Sequence, residues 1–407
     1  VRNDEGMALS ELTASQRGFR GLWQRPRYPS FLLTVSLSRT SSVMFNTAGV
    51  LLVLQRTGSA PLAGLTAAAA VVPGALAGPV LGAWLDVAHR RRVLIVADQL
   101  LSVAGLLAIV AIAGHAPNWT VPAVTVVYSI TRPFSMGTFF SALATIAGPD
   151  LLDHASAVEA TSLNLAVIVG PALAGLLAGM IGAASTVEVQ AALTMVVAVL
   201  VAVNPAFEAR SAERATNVSD ALRTGLRALA KERVLRATSV SSGLAGFGWG
   251  LMFVGFPLYA VQILHSPAHT SGYLWGAVAG GSILGTFVLH GPPVMRRVGL
   301  SYGILGLSAL LWPLAGSLAI GIALIGLTGF LEGPAYSGSI ALRQRHTPPA
   351  GRAQVMTTQA SISQLMVSAG AVIGGALHDP RVLILVFVGV NLVAAATAIN
   401  RRSLTLS

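Results

Sequence analysis

Four ionisable side chains interrupt long apolar runs of this sequence: Arg39, Asp98, Arg132 and Glu332. Away from water a charge costs roughly 2.5 kcal/mol or more, so such residues persist where they pair, exchange a proton or meet a polar ligand. A carboxyl in that setting can take up and release a proton as its surroundings change. A guanidinium can hold a carboxylate or an anionic solute. Other chemistry is excluded by residue type and spacing. The chain has no Cys, which removes disulfides, thiolate nucleophiles and Cys-ligated metals or clusters. Its one Lys, Lys231, stands between Ala230 and Glu232 and cannot serve a phosphate-binding Gly-Lys-Ser/Thr loop. His265 and His269 are four apart, but Pro267 between them breaks the helix that would align them on a metal. No Ser-His-Asp or paired-carboxylate arrangement stands out, so the expectation is a non-enzyme with no cofactor and no metal.

The elements that must position these residues follow from composition. Of 407 residues, 54% are hydrophobic and only 10% charged, against about 25% charged in a soluble domain. Apolar runs between charge and turn clusters predict twelve membrane-spanning helices of roughly 20 residues each. They cover 29–54, 61–85, 93–114, 121–146, 155–181 and 186–203 in the first half, then 234–263, 272–289, 300–315, 318–342, 354–377 and 382–399. Only Pro313 and Gly316 punctuate the ninth from the tenth, which leaves eleven as the alternative count. Residues 1–28 form an N-terminal segment, 29–203 a first six-helix bundle, 204–233 a linker, 234–400 a second bundle and 401–407 a tail.

Charge orients the spans. If the helices alternate, 22 of the 26 basic residues fall on one side, and only Arg39, Arg56, Arg132 and Arg381 lie elsewhere. Cytoplasmic loops carry such an excess, so both termini are expected in the cytoplasm. The net charge of +11 is therefore membrane orientation, not nucleic-acid binding. The first run is too long and lacks the flank of a cleaved signal peptide. Leu222, Leu226 and Leu229 beside Arg223, Arg227 and Lys231, and Phe19, Leu22 and Trp23 among Arg17, Arg20 and Arg25, predict amphipathic stretches on the inner membrane surface.

The two halves repeat at an offset near 200 residues. Ile168-Val-Gly170-Pro-Ala-Leu-Ala-Gly175 matches Ser368-Ala-Gly370-Ala-Val-Ile-Gly-Gly375, Glu159 matches Gln359 and Arg132 matches Glu332. The basic turn Arg91-Arg92 recurs at Arg296-Arg297. Two bundles related by an axis along the membrane normal suit rocking around a central site.

The loop Gly82-Ala-Trp-Leu-Asp86-Val-Ala-His-Arg90-Arg91-Arg92 resembles the signature between helices two and three of the major facilitator superfamily, with Val87 and His89 in place of its basic residue and Gly. Gly170-Pro171 with Gly175 is similar to the Gly-Pro motif of its exporter branch, and Arg343-Gln-Arg-His-Thr-Pro-Pro349 with Gly351-Arg352 extends the likeness beyond the tenth helix. The resemblance implies that Asp86 accepts from the start of the eleventh helix, closing the cytoplasmic side. Arg90 and Arg91 are then expected to pair with Asp150 or Asp153. Gly170 and Pro171 either form a hinge or simply allow close packing.

In that superfamily's fold, helices one, four, seven and ten line a central cavity, which implies that Arg39, Arg132 and Glu332 share one aqueous space. Arg132 and Glu332, equivalent in the repeat, are expected to pair across the axis, either as a proton-coupling couple led by Glu332 or as a static ion pair. Arg39 is expected to pair with Asp98, and Glu159 to act as a wet gate or a cap. Phe247, Trp249 and Phe253 either line the cavity or pack, as do Phe256 and Tyr259; Asn46, Asn164, Gln359 and Gln364 add polar contacts. The resemblance implies a monomeric, multi-pass transporter of the bacterial plasma membrane, driven by protons and exporting small amphipathic or drug-like molecules. The alternatives are an importer or uniporter of a small polar or anionic solute, with Arg39 and Arg132 as the anion site, and a non-transporting sensor or scaffold.

Overall fold

A computed structural model describes residues 20–77, 81, 90–148, 150–208, 227, 229–289, 294–347 and 352–399. The described residues are helical, with no strand among them. In the first half the helices are α1 (Tyr28–Thr57), α2 (Ala60–Ala69), α3 (Arg91–Ile112), α4 (Thr120–Ser129), α5 (Pro133–Ala147), α6 (Leu152–Ile181) and α7 (Ala183–Val203). The second half holds α8 (Arg233–Gln262), α9 (Ser271–Val288), α10 (Met295–Ser308), α11 (Leu318–His346), α12 (Arg352–Leu377) and α13 (Pro380–Ile399). Nine helices among the described residues are long and apolar enough to cross a membrane.

Local chemistry sets the boundaries. Gly58 takes a left-handed conformation to end α1, and the Ser59 hydroxyl then caps α2 by accepting from the Leu62 N–H. Ser317 caps α11 in the same way, accepting from Ile320 N–H. The 310 turn Ala309–Leu314, which contains Pro313, closes the end of α10, so the ninth and tenth apolar runs are separate elements. The fourth run, expected to be continuous over 121–146, breaks instead between α4 and α5. Pro133 has no N–H to donate and disfavours helix at the residue before it, and the chain turns at Ile130–Arg132, where Arg132 N–H donates to the Ser129 carbonyl.

Glycines set how closely the helices cross. Within the halves, α6 lies on α1, where a Cβ on Gly170 would stand 3.1 Å from the Thr40 carbonyl oxygen, and α12 lies on α8, where one on Gly370 would overlap the Phe247 carbonyl. Between the halves, Gly175 of α6 meets Gly272 of α9 backbone to backbone, and Gly64 of α2 meets Ala371 and Gly375 of α12. The glycines matched in the sequence repeat are thus the crossing points of a pseudo-symmetric pair of bundles. Both inter-half crossings lie at the arginine-poor end. One apolar cluster, built on Met44–Val53, Ala60–Ala70, Ala174 and Ala178, reaches across to Val254 and Ala371 there. The clusters near the arginine-rich end each belong to one half, Phe31, Phe139 and Phe207 to the first, Val298, Tyr302 and Leu342 to the second.

Candidate functional site

Arg39 sits eleven residues past the start of α1 and faces α6, the helix that Gly170 admits to close range. Its Nη2 donates to Glu159 Oε1 at 2.5 Å and its Nη1 to the Glu159 carbonyl at 3.1 Å, with both side chains 6% exposed. The partner expected for Arg39 was Asp98; Glu159 takes that place and is neither a wet gate nor a cap. The reason is rotational: α1 packs on α6 and α7, whereas α3, which carries Asp98, packs on α7 and α4. In the second half Gln359 occupies the Glu159 position and donates to Ser242 of α8 at 3.0 Å and to Ser363 at 3.1 Å. A neutral couple therefore mirrors the charged one.

Asp98 is buried and accepts from Thr131 Oγ1 at 2.7 Å, from Ser135 Oγ and from Gln99 Nε2 at 3.1 Å. Thr131 and Ser135 flank the break before Pro133, so Asp98 ties α3 to the broken helix. The same break turns Arg132 toward α2, where its Nη1 donates to the Ala70 carbonyl at 3.1 Å. Glu332, half-buried on α11, accepts from Ser282 Oγ of α9 at 2.7 Å. The expected Arg132–Glu332 pair does not form. Each residue reaches the adjacent helix of its own half, and ion pairs join Arg39 to Glu159 and Arg25 to Asp150 instead.

The aromatic residues of α8 pack rather than line an open wall. Trp249 stands 6.0 Å from Trp275 and 5.1 Å from Phe387, Phe253 5.0 Å from Trp275, and Phe256 joins Trp312. Phe247 lies partly buried against the same cluster. Tyr259 donates to the Trp312 carbonyl at 2.7 Å, and Trp312 Nε1 to Thr328 at 3.0 Å, which fixes the 310 turn after α10 on α8 and on α11. Asn46 Oδ1 is buried with no hydrogen-bond partner among the described residues.

At the arginine-rich end, Gly82 and Asp86 lie outside the described residues, as do the side chains of Asp153 and Asn164. Arg90 is exposed and Arg91 buried. Asp150 pairs with Arg25 of the N-terminal segment at 2.7 Å rather than with either of them. Pro171 is buried within the uninterrupted α6, with Gly170 and Gly175 as packing contacts. Sequence reasoning passed over Gln99, Thr131, Ser135 and Ser282. Ser242 was within reach, because the offset that matches Glu159 to Gln359 also brings Arg39 close to Ser242.

Residues 31–300 match the model of the Major Facilitator Superfamily. The chain belongs to this superfamily. It is 28% identical over 397 residues to an uncharacterised transporter of the superfamily, y4rN, from Sinorhizobium fredii, covering 94% of this chain and 96% of that one. It is 28% identical to the multidrug efflux pump Tap of Mycobacterium tuberculosis over 362 residues, 86% of each chain. Among solved structures, a bacterial homologue of the human lysosomal transporter Spinster, inward-facing and occupied, superposes with a TM-score of 0.71 at 14% identity, over 93% of this chain and 98% of that one. The superfamily's fold, two bundles joined at α2–α12 and α6–α9, is the one described above. This multi-pass membrane protein is a transporter of the superfamily, similar to its exporters.

Proposed function

We propose that the chain is a proton-coupled exporter of small amphipathic or drug-like molecules, working by alternating access in the bacterial plasma membrane. The observation that carries the reading is the likeness to Tap, a named multidrug efflux pump, over 86% of both chains. Twelve spans and a cytoplasmic arginine-rich face complete the proposal. In that orientation the joined end faces outward, and the site opens toward the cytoplasm from which an exporter loads. One chain holds both bundles, so a monomer suffices.

Glu332 is the coupling residue in this reading. It is half-buried, and no basic group among the described residues lies within ion-pair distance. A carboxyl whose partner is a neutral hydroxyl can lose and regain its proton without breaking a salt bridge. Asn46 supplies a polar contact for the solute. The competing anion site is disfavoured, because Arg39 is committed to Glu159 and Arg132 to the Ala70 carbonyl.

Proteoliposomes with a trapped pH indicator test the coupling. Adding a substrate identified by ligand-induced thermal stabilisation releases protons in the wild type. In Glu332→Gln, gradient-driven accumulation is lost while substrate exchange across equal pH continues. Full gradient-driven accumulation by Glu332→Gln would remove Glu332 from the coupling role, and flux insensitive to pH gradients in the wild type would indicate a uniporter.

A further inference from the structure

We infer that the groove between the start of α1 and the end of α7 is a binding site for the headgroup of an anionic glycerophospholipid. The groove encloses about 240 Å³ and is lined by Arg27, Ser30, Thr34, Leu200, Val203 and Asn204, together with Pro205. No acidic residue lines it. Arg27 has a left-handed backbone (φ 74°), which turns the chain into α1 and leaves its side chain exposed at the lip. Its neighbour Arg25 is already neutralised by Asp150 at 2.7 Å. Among the described residues the Arg27 guanidinium has no hydrogen-bond or ion-pair partner. Asn204 Nδ2 donates to Ser30 Oγ at 3.0 Å, which ties the two walls of the groove together beside Arg27.

The surroundings point to a lipid and not to a soluble anion. Val196, Val199 and Val203 are 47, 54 and 68% exposed and recur at helical spacing on α7, and Leu33 of α1 is 54% exposed. In a membrane helix such a stripe faces acyl chains, and here it runs directly into the groove. Trp23, 56% exposed and edge-on to Tyr28 at 6.0 Å, marks the depth of the headgroup region, where tryptophan concentrates. A phosphate at Arg27 with its tail on the valine stripe satisfies both halves of the site, and basic pockets between membrane helices at this level suit anionic headgroups.

The test measures lipid retention by native mass spectrometry and the thermal midpoint of the full chain in micelles doped with phosphatidylglycerol or phosphatidylcholine. The wild type is expected to retain phosphatidylglycerol preferentially and to be stabilised by it. Arg27→Gln should weaken that retention on the order of tenfold with an unchanged midpoint in phosphatidylcholine. Val203→Trp, which fills the groove from the lipid side, should do the same. Arg236→Gln, an exposed arginine of the other half, should leave retention intact. Equal retention by Arg27→Gln and the wild type would overturn the assignment, as would an equal loss with Arg236→Gln, which would mean surface charge alone. Stabilisation by glycerol 3-phosphate without lipid would overturn it in favour of a free phosphate ester.

Discussion

Removing one partner from the Arg39–Glu159 pair leaves a charge in a site where both side chains are 6% exposed, a change that costs about 3–5 kcal/mol in buried pairs. Arg39→Gln and Glu159→Gln are each expected to lower the unfolding midpoint sharply. The second half shows that the fold does not need the charges, since Ser242 and Gln359 hold the equivalent helices with a neutral hydrogen bond at 3.0 Å. The double variant Arg39→Gln/Glu159→Gln should therefore recover most of the lost stability, read as coupling in a double-mutant cycle of thermal midpoints. Additive losses would show that the two residues do not act as a pair. Which residues are polar within apolar runs was plain in the sequence, but their partners were not. Depth along a helix can be counted from its end, which is why Arg39 and Asp98 looked adjacent. Rotation about the helix axis is set by packing, and packing turns Arg39 to α6.

At the scale of elements, the crossings of α6 with α9 and of α2 with α12 depend on glycine because backbone meets backbone. A methyl on Gly175 would overlap the Gly272 Cα, and overpacking of that kind costs about 1–3 kcal/mol. Gly175→Ala is expected to weaken closure of the arginine-poor end and to slow transport roughly tenfold, measured in proteoliposomes. Gly280→Ala on α9 meets nothing within 4 Å and should transport as the wild type does, with a slightly higher midpoint because alanine favours helix. Loss of transport in both would mean that the helices tolerate no added bulk anywhere, and the crossing would not be special. The glycine repeat was legible because crossings demand a residue type. The break in the fourth run was less so: Pro133 was visible, but Pro171, Pro257 and Pro334 sit in helices that continue through them. What differs at Pro133 is the support around it. The side chains of Thr131 and Ser135 donate to Asp98, and that of Arg132 to the Ala70 carbonyl, so side chains on both sides of the break anchor it to neighbouring elements.

For the whole molecule, a joined arginine-poor end and clusters confined to single halves at the other end are what the proposed alternating access would use as one of its two states. Alternating access requires a second state in which the arginine-rich ends approach and the glycine crossings part. The absence of Cys from the sequence makes this measurable without background labelling. Val93 at the start of α3 and Val294 just before α10 are exposed and lie at the arginine-rich end, one in each half. Spin labels at Val93→Cys and Val294→Cys are expected to give mainly a long separation in the resting protein. Adding Gly175→Ala should raise a shorter-distance population, because a destabilisation of 1–3 kcal/mol at the joined end shifts the balance roughly fivefold or more. A distance distribution that Gly175→Ala leaves unchanged would mean that the crossing packs the bundles without governing the exchange. The two ends would then be coupled through some element other than α6 and α9.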